Sequence, residues 1–332
     1  MRAVRFHERS GSDALTVEEV DEPSPAPGQI LVDVEAAGVN RVDAVFAEGG
    51  FSEVYPHSRL QPPRLPHIPG SDFAGTVEAV GDGVRRFDVG DRVFGAGLGA
   101  KFPGTYAEKV AAPVSNVAHL PDGVSFESGA AIGHAGVTAW HSLVHHADVE
   151  PGDYCLVHGG SGGVGHVAVQ LAAALGSRVV ATAGSAEARE VIRELGAVDA
   201  LDYAQSHDDL RESILDATEG GVDVILDYHL DDYFELDIEV SNLNGQVVVV
   251  EGGETGIDHQ HLRLALWKDL TIQAAGMFNI PDMSAALTRL GRLLEDESLT
   301  VEIDRRFDLD EASEAQKAVE NESYVGKLVI VP

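Results

Sequence analysis

Three glycines at close spacing carry the first chemistry legible in this chain. In YCLVHGGSGGVGHVAVQLAAALG, residues 154–176, Gly160, Gly162 and Gly165 fit the pattern GxGxxG. The first glycine of such a loop permits a tight turn, the second lets backbone approach a pyrophosphate, and the third lets a helix pack close to a strand. Gly163 and Val164 complete the loop. The N-terminus of the helix that follows would offer N–H groups and the positive end of its dipole to phosphates. Glycine-rich loops are common, so the flanks decide the reading. Here an apolar strand, Cys155 to Val157, precedes the loop and an apolar stripe at helical spacing follows it. Together they predict a dinucleotide-binding turn.

The elements around this loop fall into two rhythms. Residues 1–122 read as β-rich, with short alternating runs such as Ile30 to Val34 and Phe73 to Val80 between Pro/Gly turns. The stretch from Gly49 to Pro69, rich in Pro, His and Arg, reads as a long loop of the kind that is often functional. Residues 123–275 alternate strand and helix, with strands expected at 154–158, 178–183, 222–227, 246–251 and 270–275. That alternation predicts an α/β, doubly wound parallel sheet. Residues 276–332 supply an amphipathic helix at 282–296, a strand near 299–303, a helix at 310–320 and a last apolar strand, Gly326 to Val331. These are too few for a domain, and we expect them to complete the N-terminal one.

Composition narrows the partners. There are 55 acidic residues against 23 basic ones, a net charge of −32 spread along the whole chain. Nucleic acid and anionic membranes are poor partners for such a surface. At molar salt the Debye length shrinks to about 3 Å and self-repulsion is screened, which is the balance expected of a salt-in halophile. No apolar run is long enough to span a bilayer and the N-terminal residues lack an apolar signal segment, so we expect a cytoplasmic protein. The single cysteine, Cys155, excludes an intrachain disulfide and reads as a packed core residue.

The motifs GVNRVDA at 38–44, PGSDFAGTVEAVG at 69–81, GDRVFG at 90–95, GTYAEKVAAP at 104–113, GVTAWHSL at 136–143, ELGAVDALDY at 194–203 and the terminal GKLVIV follow one another in a familiar order. With the glycine loop they make the chain resemble the zinc-free quinone oxidoreductases, zeta-crystallin-like members of the medium-chain dehydrogenase/reductase superfamily, over nearly its whole length. The resemblance implies a GroES-like catalytic domain built from both chain ends, a Rossmann domain between them, a nicotinamide cofactor in the cleft and a homodimer. The zinc alcohol dehydrogenases of that superfamily place their ligands where this chain has Asn40, Ser71 and His134. Catalytic zinc needs three N, S or carboxylate ligands around an open position. One histidine with an amide and a hydroxyl does not meet that need, so no metal is expected. His134 stands beside the expected nicotinamide position, either as a proton donor to substrate or as a histidine bonded to nearby backbone.

Cofactor choice rests on VVATAGSAEAR, at the end of the second Rossmann strand. An NAD enzyme places Asp or Glu there to hold the ribose 2′-OH. This chain has Ala183, Gly184 and Ser185, with Arg189 one turn on, which leaves room for a 2′-phosphate and favours NADPH. The resemblance adds Tyr203 at the adenosine end, Thr138 beside the nicotinamide, and backbone at Leu230 and Gly252. The usual Val-Gly after the fourth Rossmann strand is replaced by Tyr228, His229 and Leu230, so the substrate pocket is reshaped. The expected reaction is metal-free hydride transfer from NADPH to a quinone or an α,β-unsaturated carbonyl, with Asn40 and Thr138 positioning the reactants and His134 or Tyr55 as acid. An enoyl-CoA or acryloyl-CoA reductase, with Arg59, Arg64 and Lys101 as candidate phosphate contacts, is the alternative enzyme. A non-catalytic NADPH-binding protein is the alternative of another class.

Overall fold

The computed structural model describes residues 1–49, 63–251 and 259–332. The chain divides into two compact units, Met1–Val137 joined by Met277–Pro332, and Thr138–Gly276. The division falls inside one helix, Phe126–Trp140.

The second unit is built on a parallel sheet in the order Asp199–Asp202, Arg178–Ala183, Tyr154–Val157, Val222–Asp227, Ser241–Val249, Thr271–Ala274. This is the Rossmann order, with the chain reversing direction across the sheet between Tyr154–Val157 and Val222–Asp227. The central strands are mostly apolar, Asp223 and Asp227 aside, because helices cover both faces: Cys155, Leu156, Val157, Ile225 and Leu226 are fully buried. The flanking strand Asp199–Asp202 escapes the sequence reading. It sits at a sheet edge, buries only Ala200, and its aspartates make it look like loop.

The first unit is a mixed sheet ordered Ile303–Asp308, Lys327–Val331, Gln29–Val39, Asp72–Val80, Arg92–Gly95, Val117–His119, with Lys109–Pro113 also paired to Gln29–Val39. Its apolar core gathers Ile30, Val32, Phe73, Val77, Val93 and Leu98. Lys327–Val331 lies antiparallel to Gln29–Val39, with Leu328 opposite Val39. Two expectations need correction here. The strand expected near 299–303 runs instead over Ile303–Asp308, where Arg305 and Arg306 disguise a half-buried alternation. The N-terminal region also holds a helix, Arg41–Glu48, which buries Ala44, Phe46 and Ala47.

Candidate active site

The glycine loop opens where strand Tyr154–Val157 ends. The left-handed residue of its turn is Gly159, at φ 61°, rather than the expected Gly160. Gly160 instead allows close packing, since a Cβ there would stand 2.7 Å from that of Ala181. At Gly165 a Cβ would fall 2.1 Å from the Gly159 carbonyl oxygen, so only glycine lets helix Gly165–Ala174 start against the turn. A Cβ at Gly162 would meet only the Gly159 oxygen, at 3.3 Å. The helix begins after Val164 with no side chain capping it; the His166 N–H bonds the Gly162 carbonyl at 3.0 Å, and the rest of the first turn is left to an anion. Thr138 is buried and its Oγ1 has no partner among the described residues. A glycine cradle and an unpartnered buried hydroxyl both fit a dinucleotide.

At the end of strand Arg178–Ala183, Ala183 is buried while Gly184 and Ser185 are exposed. Ser185 caps helix Ala186–Glu194, its Oγ accepting from the Ala188 N–H at 3.0 Å. That occupies one lone pair and leaves the hydroxyl hydrogen to donate. Tyr203, exposed, has its hydroxyl where a Cβ on Gly184 would clash at 2.4 Å, so glycine at 184 and tyrosine at 203 fit as a pair. Arg189 is not the free helix arginine that its position suggests. Its Nη1 lies 3.0 Å from Asp202 and donates to the Ala183 carbonyl at 3.3 Å. Asp202 was invisible as a partner because its strand was unrecognised. Leu230 opens helix Leu230–Val240 and packs into the unit's apolar core. Tyr55, Arg59 and Gly252 lie outside the described residues.

The first unit holds a buried polar network that sequence reasoning missed. Asn40 stands just before helix Arg41–Glu48 in extended conformation, φ −135° and ψ 150°. Its backbone N–H donates to Asp43 Oδ2 at 3.0 Å, its Nδ2 donates to Asp72 Oδ2 at 2.9 Å, and its Oδ1 accepts from Lys327 Nζ at 2.5 Å. Lys327 Nζ also donates to the Val39 carbonyl at 2.8 Å. Gln316 Nε2 donates to the Asn40 carbonyl at 3.0 Å, and the Tyr106 hydroxyl reaches Asp43 at 3.0 Å. All seven residues are buried. Room for Asp72 comes from Gly133, where a Cβ would lie 3.0 Å from its carboxyl.

Burial sets the charges of this network. Desolvation and the charge of Asp72 push Asp43 up to about 7. Asp72 rises to about 6 through burial, held back by Lys327 and the Asn40 bond. Burial lowers Lys327, with Asp72 and then Asp43 opposing. The sequence signal was present in GKLVIV, a lysine opening an apolar strand, and in the aspartate of PGSDFAG.

Of the three positions where zinc relatives place ligands, Ser71 and His134 do meet. Ser71 Oγ lies 3.4 Å from His134 Nδ1 and accepts the Gly97 N–H at 3.2 Å. Asn40 turns its side chain to Asp72 and Lys327 instead. Among the described residues no group of three or more His, Cys, Asp or Glu is arranged to hold a metal ion. His134 is half-buried, its ring 5.8 Å from that of Phe278. Burial, reinforced by the charge of Lys327, lowers its pKa to about 3. Near neutral pH His134 is therefore a neutral imidazole, which bears on its expected role as an acid. His145 and His146 join His141 in a cluster, with the Nε2 atoms of His141 and His146 at 3.0 Å.

A GroES-like mixed sheet with a glycine-loop Rossmann sheet is the architecture of a medium-chain dehydrogenase/reductase. Models of the alcohol dehydrogenase GroES-like domain and of the zinc-binding dehydrogenase match residues 26–122 and 163–292. Human quinone oxidoreductase is 32% identical across 100% of this chain and 98% of its own length. A crystal structure of Escherichia coli quinone oxidoreductase complexed with NADPH superimposes with a TM-score of 0.88 at 28% identity, covering both chains completely. A crystal structure of an NAD-dependent alcohol dehydrogenase gives 0.89 at 30% identity, again over all of both chains. The chain belongs to the quinone oxidoreductase branch of the medium-chain dehydrogenase/reductase superfamily.

Proposed function

We propose that this protein is an NADPH-dependent, metal-independent reductase of quinones or α,β-unsaturated carbonyl compounds. The observation that carries the reading is the neutral end of strand Arg178–Ala183, where buried Ala183 and exposed Gly184 and Ser185 offer no carboxylate to a ribose 2′-OH. The Ser185 hydroxyl supplies a hydrogen bond for a 2′-phosphate, and Arg189 supplies charge already shared with Asp202. Bound NADPH would contribute the hydride. The glycine loop and the first turn of helix Gly165–Ala174 would hold its pyrophosphate, with Thr138 Oγ1 hydrogen-bonding the nicotinamide end.

On the catalytic unit, Asn40 donates a hydrogen bond to the substrate oxygen on which negative charge develops, and His134 assists as a neutral donor. A quinone oxygen protonates readily once reduced, so the site needs no strong acid for that substrate. NADPH consumption with a panel of quinones, enones and enoyl thioesters in high salt tests the reading. Turnover of no compound, with NADPH still bound, would leave a binding protein and refute it.

The exposed edge strand Thr271–Ala274, with Leu266 and Trp267 exposed beside it, is the surface through which we expect a homodimer. Light scattering after gel filtration checks this. The dispersed acidic charge supports a cytoplasm of high salt.

A further inference from the structure

A fully desolvated lysine is expensive unless its charge is used or matched. Lys327 opens the last strand and is 3% exposed, yet no carboxylate is hydrogen-bonded to its ammonium among the described residues. Two of its N–H groups go to neutral oxygens, the Val39 carbonyl and Asn40 Oδ1, while Asp72 and Asp43 act on it through space. The shorter of the two bonds, 2.5 Å, is the one to the carboxamide.

We propose that Lys327 is a positioning residue for the reduction, polarising the Asn40 carboxamide so that its second N–H becomes a stronger donor to the substrate oxyanion. The geometry supports each link. An ammonium on Oδ1 draws charge along the amide, and hydrogen bonds in series strengthen one another in a low-dielectric site. One Nδ2 hydrogen is committed to Asp72 at 2.9 Å, which fixes the amide plane and leaves the second hydrogen to the substrate. The Gln316 bond to the Asn40 carbonyl and the Asp43 bond to its N–H hold the backbone from the other side. Donors preorganised on the position where an oxyanion forms act mainly on the transition state. Lys327 thus puts a positive charge next to one of the positions that carry zinc ligands in the alcohol dehydrogenases, acting through an amide. This rests on the quinone or enone reductase reading above.

A double-mutant cycle with a spectroscopic readout tests it. Lys327→Met should lower kcat for the best quinone or enone about tenfold, while the Kd of NADPH stays within about twofold. Removing a whole oxyanion donor costs about 10²- to 10³-fold, so Asn40→Ala should lose more. Because Lys327 acts through Asn40, Lys327→Met should add almost nothing in the Asn40→Ala background. Losses that multiply in the double variant would overturn the proposal. Independently of turnover, selective ¹⁵N labelling of the six asparagines lets the Asn40 side-chain signals be assigned by their loss in Asn40→Ala. In the cofactor-free protein those signals should stand downfield of an exposed asparagine and move upfield in Lys327→Met. Should that variant not fold, the wild-type spectrum alone decides, and ordinary solvent-like positions for the Asn40 amide refute the polarisation. Absence of any reductase activity with shifted Asn40 signals would instead refute the assigned reaction and leave the Lys327–Asn40 coupling standing.

Discussion

Replacing His134 by glutamine separates two roles that look identical in the sequence. The imidazole has its pKa lowered to about 3, first by burial and then by the charge of Lys327. At pH 7 only about one molecule in 10⁴ carries an imidazolium there, against about one in four for a histidine at 6.5. A general acid of that population cannot give the usual 10²- to 10⁴-fold contribution. A neutral N–H donor can be imitated by the glutamine amide. His134→Gln should therefore lower enone turnover by about tenfold or less, with no limb near pH 6.5 in the wild-type profile. The same burial has a cost that stability measurements read directly. The folded pKa lies below the unfolded one, so stability is complete above about 6.5 and falls as pH drops toward 3. Between pH 6.5 and pH 5 the loss is about 1.5 units times 1.36 kcal/mol, or about 2 kcal/mol. Urea unfolding of wild type and His134→Gln at pH 7 and pH 5, in the same high salt, isolates it. The variant should lose about 2 kcal/mol less between the two pH values. Equal losses, or an enone profile with a limb at 6.5 that vanishes in the variant, would refute the neutral-imidazole assignment.

NADPH should bind at least about tenfold more tightly than NADH, about 1.4 kcal/mol, and Ala183→Asp should reverse the order; nicotinamide fluorescence titrations decide. Gly165→Ala drives a Cβ to 2.1 Å from the Gly159 oxygen, so it should cost about 1–3 kcal/mol of stability and at least about tenfold in NADPH affinity, measured by melting and titration. Activity should survive chelator, and elemental analysis should find no stoichiometric zinc; one zinc per chain lost together with activity would overturn the metal-free reading. Melting temperature should climb as KCl rises from about 0.1 M to 1 M, over which the Debye length falls from about 10 Å to 3 Å; a flat or falling series would remove the salt argument.

Much of the frame was open to sequence reading because its signals are local. The glycine loop lies between strand Tyr154–Val157 and helix Gly165–Ala174, both written in apolar periodicity. Strand Arg178–Ala183 and helix Ser284–Glu295 were equally plain. The misses share a cause. Asp199–Asp202 and Ile303–Asp308 are flanking strands whose aspartates and arginines face water, so alternation is masked by charge. The polar network failed for another reason. Lys327 and Asn40 are 287 residues apart, and no window of sequence shows that a lysine beside an apolar run will be buried against an asparagine. Arg189 illustrates the same limit: position suggested its reach, but only the unrecognised neighbouring strand could reveal Asp202 as its partner.

The pairing of Leu328 with Val39 makes an order of events during synthesis. The sheet that carries Asn40 and Asp72 lacks an inner strand until a whole second unit, Thr138–Gly276, has been made. Closing a flexible loop of 288 residues would cost about 5 kcal/mol of chain entropy, by the logarithmic dependence on length. A Rossmann unit that folds first, as contiguous domains do on the ribosome, shortens that loop to its two tethers. The Rossmann half can therefore be native while the half bearing Asn40 is still open along one strand edge. Refolding should show NADPH binding recovering before turnover, and the exposed edge makes that interval the time when this chain is most open to aggregation.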